Sequence, residues 1–221
     1  MNAVYKIYSL FKNIFMKKLL GILCIGCVCA FAACNSTSKN QDSVDSAKNI
    51  NDSMLPDSNS MKNGNASDSN ASAMSSAPAS EQDAKWAVDV ANAGMTEIEL
   101  SKVAQTKAMN PRLKGFADMM VTDHTAAADK LKSIATSKSI TLPDKLSDAS
   151  QKKLDELNKK SGKDFDKAYM DDMLDGHKKA VDAFQKGSKD LQDADLKNFA
   201  AQTLPTIQMH QDSIKAIAGK K

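Results

Sequence analysis

The chain has 221 residues, with 30 Lys+Arg against 27 Asp+Glu, and 42% of its residues are hydrophobic. Aromatics make up 5% and no basic patch interleaves with them, which argues against nucleic-acid binding. The formal net charge of +3 resides at the N-terminus: residues 1–33 hold four lysines (Lys6, Lys12, Lys17, Lys18) and no acid, and the rest of the chain carries 26 basic against 27 acidic residues.

Lys17 and Lys18 precede an uncharged apolar run from Leu19 to Ala33, which ends in small residues before Cys34. That order is the pattern of a secretory signal. The run is about 15 residues, short of the roughly 20 that span a bilayer. Phe31-Ala32-Ala33-Cys34 resembles the bacterial lipobox, whose Cys becomes the lipidated first residue of the mature chain. The pattern prefers Leu where Phe31 stands, and ordinary signal cleavage near the same place is the alternative. Residues 1–33 are read as a lipoprotein signal peptide. Met16 is an alternative start, because Met16-Lys17-Lys18 is a more usual beginning. Cys24, Cys27 and Cys29 fall in the apolar run and leave with it, so only Cys34 remains and no disulfide is expected. The expected location is the bacterial cell envelope, with the chain held to a membrane by its N-terminal lipid. The outer membrane is favoured, with the domain in the periplasm or at the surface. No protein partner is indicated.

Residues 34–80 form the lipidated N-terminus and a Ser/Asn/Asp-rich stretch without aromatic residues. Such a segment buries too little apolar surface to offset the entropy of ordering. A disordered linker with a mean reach of roughly 35–40 Å is predicted.

Residues 81–221 read as one all-α domain, since no run of alternating β-branched residues appears. Apolar spacing marks the helices. The first covers 81–107, with the stripe Trp86, Val90, Ala93, Glu97, Leu100, Ala104. Asn110-Pro111 breaks the chain. The second covers 111–138, with Leu113, Phe116, Met120, His124, Ala127, Leu131, Ile134. A short helix over 147–159 follows Leu142-Pro143 and ends at Ser161-Gly162. The third long helix covers 164–187, with Phe165, Tyr169, Met173, His177, Ala180, Phe184. The fourth covers 194–218, with Leu196, Phe199, Thr203, Ile207, His210, Ile214, Ile217, and Pro205 is predicted to kink it near His210. Two hairpins joined by a longer connection with its own helix predict a ferritin-like four-helix bundle; a plain up-down bundle is the alternative.

The chain has three histidines, and each lies mid-helix on an inward stripe; the remaining long helix places Glu97 there. Counting rise per residue puts all four at compatible heights, about 15–24 Å from the relevant helix ends. Three imidazoles and a carboxylate would complete the shell of a divalent metal, zinc being favoured over copper or iron. A di-iron centre needs Glu-x-x-His on two helices, whereas Val121, Leu174 and Ile207 stand three residues before the histidines. Met120, Met173 and Met209 near the histidines would suit copper(I), but methionine at helical spacing commonly fills cores. Asp123 and Tyr169 are candidate partners behind the ligands. The other readings of the same residues are a hydrogen-bonded core network without metal, and separate, partly exposed histidines.

Several strings resemble the bacterial family of domain of unknown function 4142. They are Gly94-Met95-Thr96-Glu97-Ile98-Glu99, the stretch from Phe116 to Thr122-Asp123-His124, the stretch from Ser161 to Phe165-Asp166-Lys167-Ala168-Tyr169, and Leu204-Pro205-Thr206-Ile207-Gln208-Met209-His210. The resemblance covers residues 82–218 and departs mildly at Met95. It implies a ferritin-like bundle, often exported or membrane-anchored, and no established activity.

Two functions compete. One is a binding module holding a metal ion or small polar ligand at Glu97, His124, His177 and His210. The other is a structural or stress-related envelope protein whose histidines only order the core. An enzyme is the least supported: no nucleophile context and no phosphate-binding glycine loop appear.

Overall fold

The structure is a computed structural model, and it describes residues 41–54 and 79–219. Among these residues lie six helices: α1 (Ser43–Met54), α2 (Glu81–Lys107), α3 (Pro111–Ser137), α4 (Asp148–Asn158), α5 (Gly162–Asp190) and α6 (Ala194–Ile217). The predicted signal segment, Cys34 and most of the predicted linker lie outside the described residues. No described helix is long and apolar enough to cross a membrane.

Helix starts follow the local chemistry. Ser80, Asn110, Ser147 and Asp193 each cap the helix that follows with a side-chain oxygen, and Pro111 sits in the first turn of α3. Two hairpins result, α2 with α3 and α5 with α6. α2 also packs on α5, and α3 on α6, whereas α3 and α5, the helices joined by the long connection, are not neighbours. That adjacency is the ferritin-like arrangement, with α4 as the extra helix of the crossover. α6 runs on to Ile217 with Pro205 inside it.

Two strings of the sequence build the hairpin corners. Asp166 accepts from the backbone N–H of Met109 and of Asn110, both at 2.9 Å, and so fixes the α2–α3 turn. Its neighbours Phe165 and Tyr169 are fully buried. The buried Asp83 does the same at the other end, accepting from Gln192 and Asp193 N–H ahead of α6.

Helix α1 departs from the expected disordered linker over 34–80. Asn51 pairs both ways with the backbone of Thr141, its Nδ2 donating at 3.0 Å and its Oδ1 accepting at 2.8 Å. Ser43 donates to Lys145 O, Asp42 accepts from the first N–H of α4, and Lys48 pairs with Asp89 of α2 at 2.6 Å. Low hydrophobicity argues against apolar burial, but this helix is held by polar side chains that satisfy the backbone of the crossover.

Candidate metal centre

The bundle core is two apolar clusters. One holds Ala84, Ala87, Leu131, Phe184, Leu196 and Phe199; the other holds Leu100, Leu113, Phe116, Phe165, Met173 and Ile214. On all four long helices the polar residue falls between the two. Glu97, His124, His177 and His210 therefore occupy one layer of the bundle, at the height where both clusters stop.

The three imidazoles form a triangle. Ring centroids are 5.8 Å apart for His124 and His177, 5.6 Å for His177 and His210, and 5.3 Å for His124 and His210. One nitrogen from each ring lies within 4.8 Å of the other two. A tetrahedral zinc with bonds of 2.0–2.1 Å spaces its nitrogens about 3.3–3.4 Å apart, so each ring would move inward by under about 1 Å. Phe116 meets His177 and His210 edge-on from below.

The second nitrogen of each ring is engaged from behind. His177 Nδ1 is 2.9 Å from Met173 O, four residues back on its own helix. A carbonyl can only accept, so this nitrogen carries the proton and Nε2 of the neutral ring keeps its lone pair. His210 Nε2 is 2.9 Å from Asp123 Oδ2. The Glu97 carboxylate lies between two rings, Oε2 at 3.3 Å from His124 Nδ1 and Oε1 at 3.5 Å from His177 Nδ1. What remains is His124 Nε2, His177 Nε2 and His210 Nδ1, all buried and all without a hydrogen-bond partner. Metal-binding histidines have this pattern: one nitrogen on a carboxylate or carbonyl, the other bare.

Several expected roles are redistributed. Glu97 stands behind His124 and His177, on their Nδ1 side, and is not among the three converging ligand groups. Asp123 serves His210 across the α3–α6 interface and not its neighbour His124, because adjacent helical residues face different ways. Tyr169 pairs its hydroxyl with Ser101 Oγ at 2.8 Å and supports the layer below. Met173 contributes its carbonyl. Gly176 was not anticipated: a Cβ there would stand 2.7 Å from Glu97 Oε1, so the glycine makes room for the carboxylate. A glycine inside a long helix, one residue before a core histidine, was the available signal.

Burial sets the electrostatics. Desolvation pushes Glu97 up to about 8, with Lys153 opposing. Desolvation first, then the other two histidines, pulls His124 down to about 3; desolvation pulls His177 down to about 4, its bond to Met173 opposing. These shifts predict how the ion-free protein responds to pH. As pH falls from 6.5 toward 4, the unfolded chain takes up protons that the folded histidines refuse, so stability drops. Glu97 acts in the opposite sense. Its folded value exceeds the unfolded 4.5, so its contribution is full below 4.5 and is lost as pH rises to about 8. Below 6.5 two histidines outweigh one carboxyl, and above 6.5 only Glu97 acts. Thermal melts in chelator should therefore peak near pH 6.5 and fall on both sides. A melting temperature that climbs steadily to pH 8 would contradict these assignments.

The layer borders a cavity of about 910 Å³, which reaches Glu97, His124 and His210 on one side and Leu131, Phe184 and Phe199 on the other.

The family described as Domain of unknown function (DUF4142) matches residues 68–217. A solved structure, the crystal structure of a DUF305 fragment from Deinococcus radiodurans, is similar at a TM-score of 0.57 and 11% sequence identity, over 64% of this chain and 98% of that one. At that identity the likeness concerns the fold alone. No curated protein matches the chain.

Proposed function

The chain belongs to the family described as Domain of unknown function (DUF4142), a description that carries no activity, and we propose from its site that it is a metal-binding module. His124, His177 and His210 are the ligands, and Glu97, Asp123 and the carbonyl of Met173 orient them. The single observation that carries this reading is the set of three buried ring nitrogens without partners. Converging lone pairs repel one another unless a cation or a proton lies between them, and a hydrogen-bonded core network would have paired them. Three imidazoles with a fourth position left open suit zinc. A carboxylate-rich iron site is disfavoured, because the one carboxylate of the layer faces the far side of the rings.

Elemental analysis of the protein, purified without affinity histidines, tests the reading. About one equivalent of zinc is expected, and it should vanish in His124→Ala. No metal in either protein after incubation with zinc, iron(II) and copper(I) would leave a purely structural histidine core.

We further propose that Cys34 is lipidated and holds the bundle to the bacterial envelope, at the outer membrane. The support is the order of charge, apolar run and small residues before Cys34. Incorporation of a labelled fatty acid should be lost in Cys34→Ser, and labelling that persists in the variant would refute the anchor.

A further inference from the structure

The two sides of the polar layer are built differently. Below it stand large residues, one helical turn from the polar ones: Leu100, Met120, Met173 and Ile214, all at 1% exposure or less. Above it, at the same distance, three of the four stripes place alanine: Ala93, Ala127 and Ala180. All three line the 910 Å³ cavity. Ala93, on a stripe that should be core, is solvent-exposed, so the space opens outward beside α2.

Bundles gain stability by filling such positions, since interiors pack as densely as organic crystals and unfilled apolar space is costly. A leucine in place of Ala127 or Ala180 would recover part of that energy. The space is instead kept against the polar layer, where it borders Glu97, His124 and His210, and two of the large residues below, Leu100 and Met173, border it as well. Its volume lies in the range of small-molecule sites, about 300–1,000 Å³. Its far wall is apolar, from Leu131, Phe184, Phe199 and Ile207. At its rim three acids are matched, Asp89 with Lys48, Asp172 with Lys153 and Asp175 with Lys179, and the further acid Asp144 stands with the further cation Lys132 in the lining. The entrance therefore sets little field against an anion.

We infer that the cavity is the organic half of the site and takes a small amphipathic carboxylate. Its apolar body lies against Leu131, Phe184 and Phe199, and its carboxylate occupies the fourth position beside the three imidazoles. The inference rests on the metal-binding reading. A site with three protein ligands keeps one position for water or a substrate atom, and the cavity bordering His124 and His210 would supply its occupant.

Cobalt(II) in place of zinc gives visible bands that report its coordination. Octanoate and acetate offer the same head with different bodies. Each buried methylene is worth about 0.8 kcal/mol, so octanoate should shift the bands at a concentration at least tenfold lower than acetate. In Ala127→Phe, which fills the chamber, cobalt should still bind with unchanged bands while the octanoate preference disappears. Ala180→Phe, on another wall, serves if the first variant loses cobalt. Equal responses to acetate and octanoate, or a preference that survives both filled variants, would overturn the inference and leave the metal site standing. Failure of the unmodified protein to bind cobalt at all would remove the metal reading, and this inference with it.

Discussion

Replacing His177 by alanine is expected to abolish stoichiometric zinc binding and, with it, the thermal stabilisation that zinc confers. This ring is the best anchored of the three. It has no solvent exposure, its Nδ1 is tied to a carbonyl of its own helix, and its Nε2 has no partner but the site. A ligand that binds only the folded state contributes about 4 kcal/mol when present at a thousandfold over its dissociation constant. For a domain of this size that corresponds to a rise of roughly 8–16 °C in melting temperature. Zinc should shift the parent protein by that order and leave His177→Ala unmoved. Without zinc the variant loses only the ring's packing and its one hydrogen bond, on the order of 2–5 kcal/mol. The two measurements thus separate a ligand from a core residue. A variant still stabilised by zinc would place the ion elsewhere.

The bundle was legible because one signal repeats. Four stripes at intervals of three and four residues, broken at Asn110-Pro111 and Ser161-Gly162, give the helices and their order. The length of the connection between the hairpins, with its own short helix, selects the crossover topology. The polar layer was legible for the same reason: a titratable residue interrupting an apolar stripe on each helix can only face its counterparts. What lay behind the layer was not. Which carboxylate serves which ring depends on how α3 turns toward α6, and one sequence does not encode that rotation. The Met173 carbonyl is invisible to any reading of side-chain types. Nor did hydropathy find α1, since Asn51 and Ser43 attach it through the backbone of Thr141 and Lys145. The alanines above the layer belong to the helical stripes, but a small residue reads as tight packing until the neighbouring helices are in place.

Gly176→Ala should weaken zinc binding by about 10–100-fold, the usual cost of disturbing the groups behind metal-bound histidines, although it touches no ligand. The direction runs against simple expectation. Within a long helix, Gly→Ala ordinarily stabilises by about 0.5–1 kcal/mol. Here the added methyl would stand 2.7 Å from Glu97 Oε1. That contact is closer than atoms tolerate, so the carboxylate must swing away. It then abandons Nδ1 of His124, which loses the group that holds its bare nitrogen toward the centre, and it draws away from His177, which keeps its bond to the Met173 carbonyl. The same substitution in a Glu97→Ala background meets no carboxylate. There it should recover its ordinary helical gain, raising stability by about 0.5–1 kcal/mol over Glu97→Ala alone, with no further loss of zinc affinity. Competition against a chromophoric chelator gives the affinities, and melts in chelator give the stabilities. Undiminished zinc affinity in Gly176→Ala would mean that Glu97 does not orient the histidines. A stability cost of equal size in both backgrounds would mean that the glycine serves α5 itself and not the carboxylate facing it.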